Sequence, residues 1–379
     1  MTFSLIGLFV LLVGVAVFFL KKSSKSVRVV PPKSPQTPRS APSVVLAPAP
    51  VVVPAPAAVP ESAEVAPPAL SAFRLARGHD LSDDRKQIIM AKLRHIPLPP
   101  PSLQQLVSRE FVNKATSAEL SVLVMGDPLM AAKVLATVNS PFFGLQKPVG
   151  SIGQAITFLG FTSVRSIGLQ YLLNNTFKAG TPDLNRVFDT IWASSALASE
   201  LCLKLAQKLE LPDQGALATH MVLSFIGQLA TYSLMPADVA VATAKLGWLE
   251  RVQGEQAQLG LCSAEIGSFL MQAWGLPTSI VDDVRDINLV LVTPVEAMDA
   301  QRGARLALCY LSAWLGEQLA RGTLRDLSAL DLSDEQNLDL FHLRSYLKAP
   351  ALARLQEFLL APDMRAAVAQ MQQSLATRV

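Results

Sequence analysis

Imidazoles, thiolates and convergent carboxylates hold catalytic metals or serve as nucleophiles and bases, and this chain uses the first two sparingly. It has four histidines, His79, His95, His220 and His342, and three cysteines, Cys202, Cys262 and Cys309. No histidine has a second one within metal-ligand spacing, and neither CxxC nor HExxH occurs, so the sequence signs of a zinc site are missing. A phosphate-cradling P-loop, a pair of convergent carboxylates and a Cys/His couple are likewise not evident. The residues therefore predict no catalytic group, no metal and no cofactor. The scattered cysteines read as small buried hydrophobes of a reducing compartment.

The charge distribution points to a membrane. Residues 1–20 carry no charge, and Lys21, Lys22, Lys25, Arg28, Lys33 and Arg39 follow with no acid before Glu61. About 20 apolar residues suffice to cross the hydrocarbon core as a helix. A cleaved signal peptide would carry its positive charge before the apolar run. The positive-inside rule then predicts a single-pass anchor at 1–20, with the N-terminus outside and the remainder in the cytoplasm. The basic run Lys21–Arg39 is expected against anionic head groups. It more than accounts for the net charge of +3, leaving a near-neutral remainder, which argues against a nucleic-acid partner. Residues 21–72 hold twelve prolines between Pro31 and Pro68 and no aromatic. Such a segment has little to bury and reads as an extended linker, reaching up to about 100 Å in polyproline form.

From Leu81 onward the chain is patterned as helix throughout. Ser82, Thr116, Asp127 before Pro128, and Ser151 are N-cap candidates. Long amphipathic helices are expected over 187–211 and 213–234. Thr293 with Glu296, and Ser333 with Gln336, form capping-box patterns. No strand alternation or internal repeat is found, so the fold class is all-α. The organisation predicted is anchor 1–20, linker 21–72, a helical domain over 73–290, and a helical extension over 291–379. The apolar faces of that extension either pack on the preceding domain or form a homodimer interface.

The order of residues over roughly 85–290 resembles the HDOD family, regulatory bacterial relatives of the HD phosphohydrolases. The resemblance rests on Ile96-Pro97-Leu98-Pro99, on Asp127-Pro128-Leu129 with Lys133, Leu135 and Asn139-Ser140-Pro141-Phe142-Phe143, and on Ser151-Ile152 with Leu159-Gly160. Trp192 with Ser195, Gly227, and Gly267 with Trp274 and Pro277 continue it. It implies an HD-related helical bundle. In the HD phosphohydrolases a metal held by histidines and aspartates activates a water. Here the first histidine position holds Ser194, the His-Asp pair reads Ser224-Phe225, a later histidine position holds Ser263, and the final pair falls at Asp286-Ile287-Asn288. A hydroxyl and a phenyl ring cannot replace those ligands. His220, one turn before Ser224, reads as a structural histidine; a metal site displaced onto His220 and Asp213 is the competing reading.

Two readings exist for the 127–143 run. Asp127 and Asn139 cap a helix and the phenylalanines join the core, or Asp127, Asn139, Ser140, Phe142 and Phe143 form a partner surface. The chain is thus expected to be a membrane-tethered, non-enzymatic signalling scaffold of the bacterial inner membrane, acting on unidentified signalling proteins. The alternatives are a small-molecule or nucleotide sensor in the old active-site cleft, and a degenerate phosphohydrolase.

Overall fold

The computed structural model describes residues 66–376. The expected anchor 1–20, the basic run Lys21–Arg39 and most of the linker lie outside them. Residues 66–72, read as the end of the linker, include a short helix, Pro68–Ser71, whose Leu70 is buried. Gln253 donates to Ala69 O at 3.3 Å, and Gln256 donates to Arg74 O at 3.0 Å and accepts from Ala76 N at 2.9 Å.

Among the described residues every regular element is a helix. The N-terminal part is built from short helices that end where local chemistry dictates. Ser82 caps Asp83–Leu93, and Thr116 forms a capping box with Glu119 ahead of Ser117–Met125. Asp127 caps Pro128–Val138 and Ser151 caps Ile152–Leu159. Gly160 then sits at φ +84°, a left-handed conformation that glycine adopts at little cost, and turns the chain into Phe161–Asn174. A helix not expected from the pattern, Arg109–Lys114, starts at the Ser108 cap.

The centre is formed by two long helices, Pro182–Lys208 and Ala300–Arg321, which pack along each other. Gly316 lets them approach: a Cβ there would lie 2.6 Å from Ser194 O. Leu308, Cys309, Leu311 and Leu315 are buried, and one hydrophobic cluster takes in residues of both 73–290 and 291–376.

Three expectations are corrected. The single helix over 213–234 is two, Gln214–Ser224 and Ile226–Leu234, parted at Phe225. The second packs against Ser263–Ala273 through Gly227 and Gly267, where a Cβ on Gly227 would lie 2.2 Å from Ser263 O. The Thr293 capping box starts only a 3-10 turn, Val295–Ala297; the long helix begins after Asp299, which accepts from Arg302 N at 2.9 Å. Ser333 opens no helix, its hydroxyl and amide both donating to Asp331 instead.

Candidate functional site

The positions where an HD enzyme would carry its metal ligands come together only in part, and they are filled. Ser224, Phe225, Ser263, Ile287 and Asn288 surround one cavity with Trp248, Arg251 and Ala313. Its volume is about 20 Å³, room for about one water. Ser194 is not among its walls. It faces Gly316 on the neighbouring long helix, and its hydroxyl donates to Thr190 O at 2.8 Å. Ser224 Oγ donates to Met221 O at 2.9 Å, and the Phe225 ring is buried. Asp286 is held by Arg77 at 3.1 Å, Arg285 at 3.0 Å and Arg302 at 2.5 Å. Burial alone would raise its carboxyl; the Arg285 hydrogen bond and the Arg77 and Arg302 guanidinia hold it below the ordinary value. Among the described residues no three His, Cys, Asp or Glu side chains gather so as to hold a metal ion. The donor set does not fit the metal that the HD relatives use.

Beside this position lies a closed polar interior. Arg251 donates to both oxygens of Glu317, at 2.5 and 2.8 Å, and stacks over Trp248 at 4.9 Å. Arg321 adds a second ion pair to Glu317 at 2.6 Å. Burial would lower Arg251, but the Glu317 carboxylate more than offsets it and holds the guanidinium above its usual value.

One turn from Ser224 the situation is reversed. His220 is 5% exposed and lines two cavities, of about 200 and 220 Å³, that share His220, Asp283 and Arg305. Burial, followed by the charges of Arg305, Arg165 and Arg109, pushes its pKa down to about 3, so the ring is neutral. Asp213 lines the second cavity with it. The nearest carboxylate to the ring is Asp283, at 4.0 Å from Nε2. Burial raises the Asp283 carboxyl, opposed by Arg305, Arg302 and Arg109.

The 127–143 corner divides between local structure and surface. Asp127 Oδ1 accepts from Leu129 N at 2.9 Å and Met130 N at 3.1 Å. Asn139 clamps Val149, accepting from its N at 2.7 Å and donating to its O at 2.9 Å. Ser140 Oγ donates to Thr137 O at 2.6 Å. Phe142 is buried and meets Phe143 edge-on at 4.8 Å, with Phe143 half-buried. Both rings border a groove of about 1030 Å³ whose walls include Gln170, Tyr171, Asn174 and Thr190. The chain on either side of Asp127 exposes apolar side chains: Met125, Leu129 at 72%, Val122 at 68%, and Phe158 at 64% on the adjacent helix. Sequence reasoning missed these four. The signal was Val122 to Met125, a run of consecutive apolar residues that one helix face cannot bury.

The described residues form an all-helical, HD-like fold. The chain belongs to the HDOD family, whose domain matches residues 96–288. Among curated proteins none matches it. Similar solved structures include a Shewanella amazonensis SB2B protein named, provisionally, a phosphohydrolase (21% identity, 76% of this chain and 97% of that one, TM-score 0.49). An HDOD domain protein of unknown function from Geobacter sulfurreducens matches at 17% identity over 77% of this chain and 96% of that one, TM-score 0.49. A Marinobacter aquaeolei VT8 protein named, again provisionally, for signal transduction matches at 18% identity over 77% of this chain and 65% of that one, TM-score 0.50. Of these three only the last bears on the fold, and at that identity on nothing else.

Proposed function

We propose that this HDOD protein is a non-enzymatic signalling adaptor, tethered to the bacterial inner membrane and recruiting proteins through its helical domain. The observation that carries the reading is chemical: Ser194, Ser224 and Phe225 stand where a hydrolase needs imidazole and carboxylate, and the space between the latter two and their neighbours is filled. The apolar side chains of Val122, Met125, Leu129 and Phe158 supply a surface of the kind that proteins use to bind partners. Tethering raises the local concentration of what they bind. Among the described residues no single helix is long and apolar enough to cross a membrane. The tether therefore rests on residues 1–20 and the basic run after them, with the helical domain on the cytoplasmic side.

Full-length protein in detergent, analysed for bound transition metal and assayed on a generic phosphodiester with added Mn²⁺, separates adaptor from hydrolase. The reading expects neither stoichiometric metal nor turnover above background; both together overturn it. Alkaline phosphatase fused after residue 72 is expected to be inactive, and activity would place the domain outside the cytoplasm.

A further inference from the structure

Several buried polar atoms lack a partner among the described residues, Arg165 Nε and Glu255 Oε1 among them, but His220 is an unpaired buried ring that lines two cavities. An imidazole carries one donor and one acceptor when neutral, and a buried polar group without a partner costs about 1–3 kcal/mol. Neither ring nitrogen of His220 makes a hydrogen bond among the described residues, Asp283 at 4.0 Å being out of reach. Both nitrogens are absent from the fully enclosed unpaired atoms, which include the Trp248 and Trp274 indole nitrogens, in keeping with a ring that opens onto its two cavities.

Arg302 is committed to Asp286 at 2.5 Å, and Asp299 caps its own helix. Arg305 pairs with Asp213 at 3.5 Å. What remains on the 220 Å³ cavity is one guanidinium, Arg109, with no ion pair or hydrogen bond among the described residues, and one carboxylate, Asp283, without a hydrogen bond. A pure anion would meet Arg109 and Arg305 but also Asp213 and Asp283. A pure cation would meet the reverse. A molecule carrying both charges can satisfy both leftovers at once, and hydrogen bonds to charged groups are the strong ones. The 220 Å³ cavity that Arg109 and Asp283 line is smaller than the ~300–1,000 Å³ pockets of drug-sized ligands, so its occupant is a small molecule.

We propose that the cleft formed by His220, Arg109, Asp283 and Arg305 binds a small zwitterion of the α-amino-acid class. Its carboxylate lies on Arg109 and its ammonium on Asp283, with His220 supplying a neutral hydrogen-bonding group. The site gives the protein a small-molecule input independent of its tether, and it lies beside, not in, the former metal position.

Calorimetric titration of the full-length protein with the common amino acids one at a time tests this, with succinate, inorganic phosphate and putrescine as single-charge probes. At least one amino acid is expected to bind saturably. Arg109→Gln and Asp283→Asn should each weaken it about tenfold or more. Arg109 is exposed and unpaired, so its variant folds and keeps the test meaningful if Asp283→Asn does not. The proposal fails if no amino acid binds. It also fails if succinate or phosphate binds as tightly and ignores Asp283→Asn, or putrescine as tightly and ignores Arg109→Gln. Amino-acid binding that neither substitution weakens overturns the assignment.

Discussion

The helix Ala300–Arg321 passes two polar interiors, one near each end, and they are built on opposite principles. Near its C-terminus Glu317 meets Arg251 and Arg321, and these three charges are paired, while Glu255 close by accepts from Ser263 N through one carboxylate oxygen. Near its N-terminus Arg305 borders the cleft of His220, where an imidazole, a guanidinium and a carboxylate lack hydrogen bonds. The first interior also abuts the small cavity walled by Ser224, Phe225 and Trp248. The difference separates two uses of buried polarity. Matched charges at Arg251 and Glu317 fix how the Trp248–Leu259 helix sits on the core. Unmatched groups at His220 hold a place open for something from outside.

The comparison is broken most severely by removing one partner of the matched set. Glu317→Gln takes from Arg251, 1% exposed, the carboxylate that binds it through both oxygens. The expected loss is about 3–5 kcal/mol, read from the urea midpoint. Replacing both partners together, Arg251→Met with Glu317→Leu, should recover most of it, because two apolar groups need no counter-charge. If Glu317→Gln costs under about 1 kcal/mol, the pair is solvated and the contrast with the His220 cleft disappears.

The second effect is in pH. The His220 ring, pushed down to about 3 from 6.5, stays neutral in the folded protein where the unfolded chain takes up a proton. Between those values the unfolded state binds more protons, so folding stability falls as pH falls, by up to about 1.4 kcal/mol per pH unit. The contribution is complete above about pH 6.5 and is lost progressively toward pH 3. Chemical denaturation of the parent and of His220→Gln at about pH 6.5 and 4.5 isolates this term from the carboxylates. The parent should lose stability more steeply, and equal slopes would mean that the ring is solvated or paired.

A smaller effect comes from the loose pair within the open cleft. Arg305 and Asp213 are 3.5 Å apart and partly solvated, with side chains 26% and 51% exposed. Arg305→Gln is expected to cost only about 0.2–1 kcal/mol by the same denaturation assay. A cost near that of Glu317→Gln would place Arg305 in the structural class.

The sequence made one of these regions legible and hid the other. Caps at Ser82, Thr116, Asp127 and Ser151 could be read because a cap is a matter of three or four neighbouring residues. The identities at positions 224 and 225 could be set against the HDOD resemblance because Ser224 and Phe225 adjoin a recognisable run. The break at Phe225 could not, since the close approach of Gly227 to Ser263 that follows it joins residues far apart in the chain. Nor could the failure of the Thr293 box, where the Tyr346 hydroxyl donates to Thr293 O at 3.0 Å from a distant helix. The His220 cleft draws on residues 109, 213, 220, 283 and 305, which no local pattern connects.

The smallest effect on stability is expected at the third region, the apolar corner, which shares neither design. Leu129 and Phe158 are mostly in water already, so removing them forfeits little burial. Leu129→Ser and Phe158→Ser should change stability by no more than about 0.5 kcal/mol. Their consequence should fall on association instead, because an apolar side chain left exposed in the monomer gains by being covered in a complex. Crosslinked partners recovered from membranes with the parent chain should be lost with the double variant, while Asp283→Asn should leave them in place. Should both variants lose the same partner, the corner and the cleft are coupled, and ligand entry at His220 controls what Leu129 and Phe158 hold. Should the double variant recover the partner undiminished, recruitment runs through another face, and the groove bordered by Phe142 and Phe143 becomes the surface to alter next.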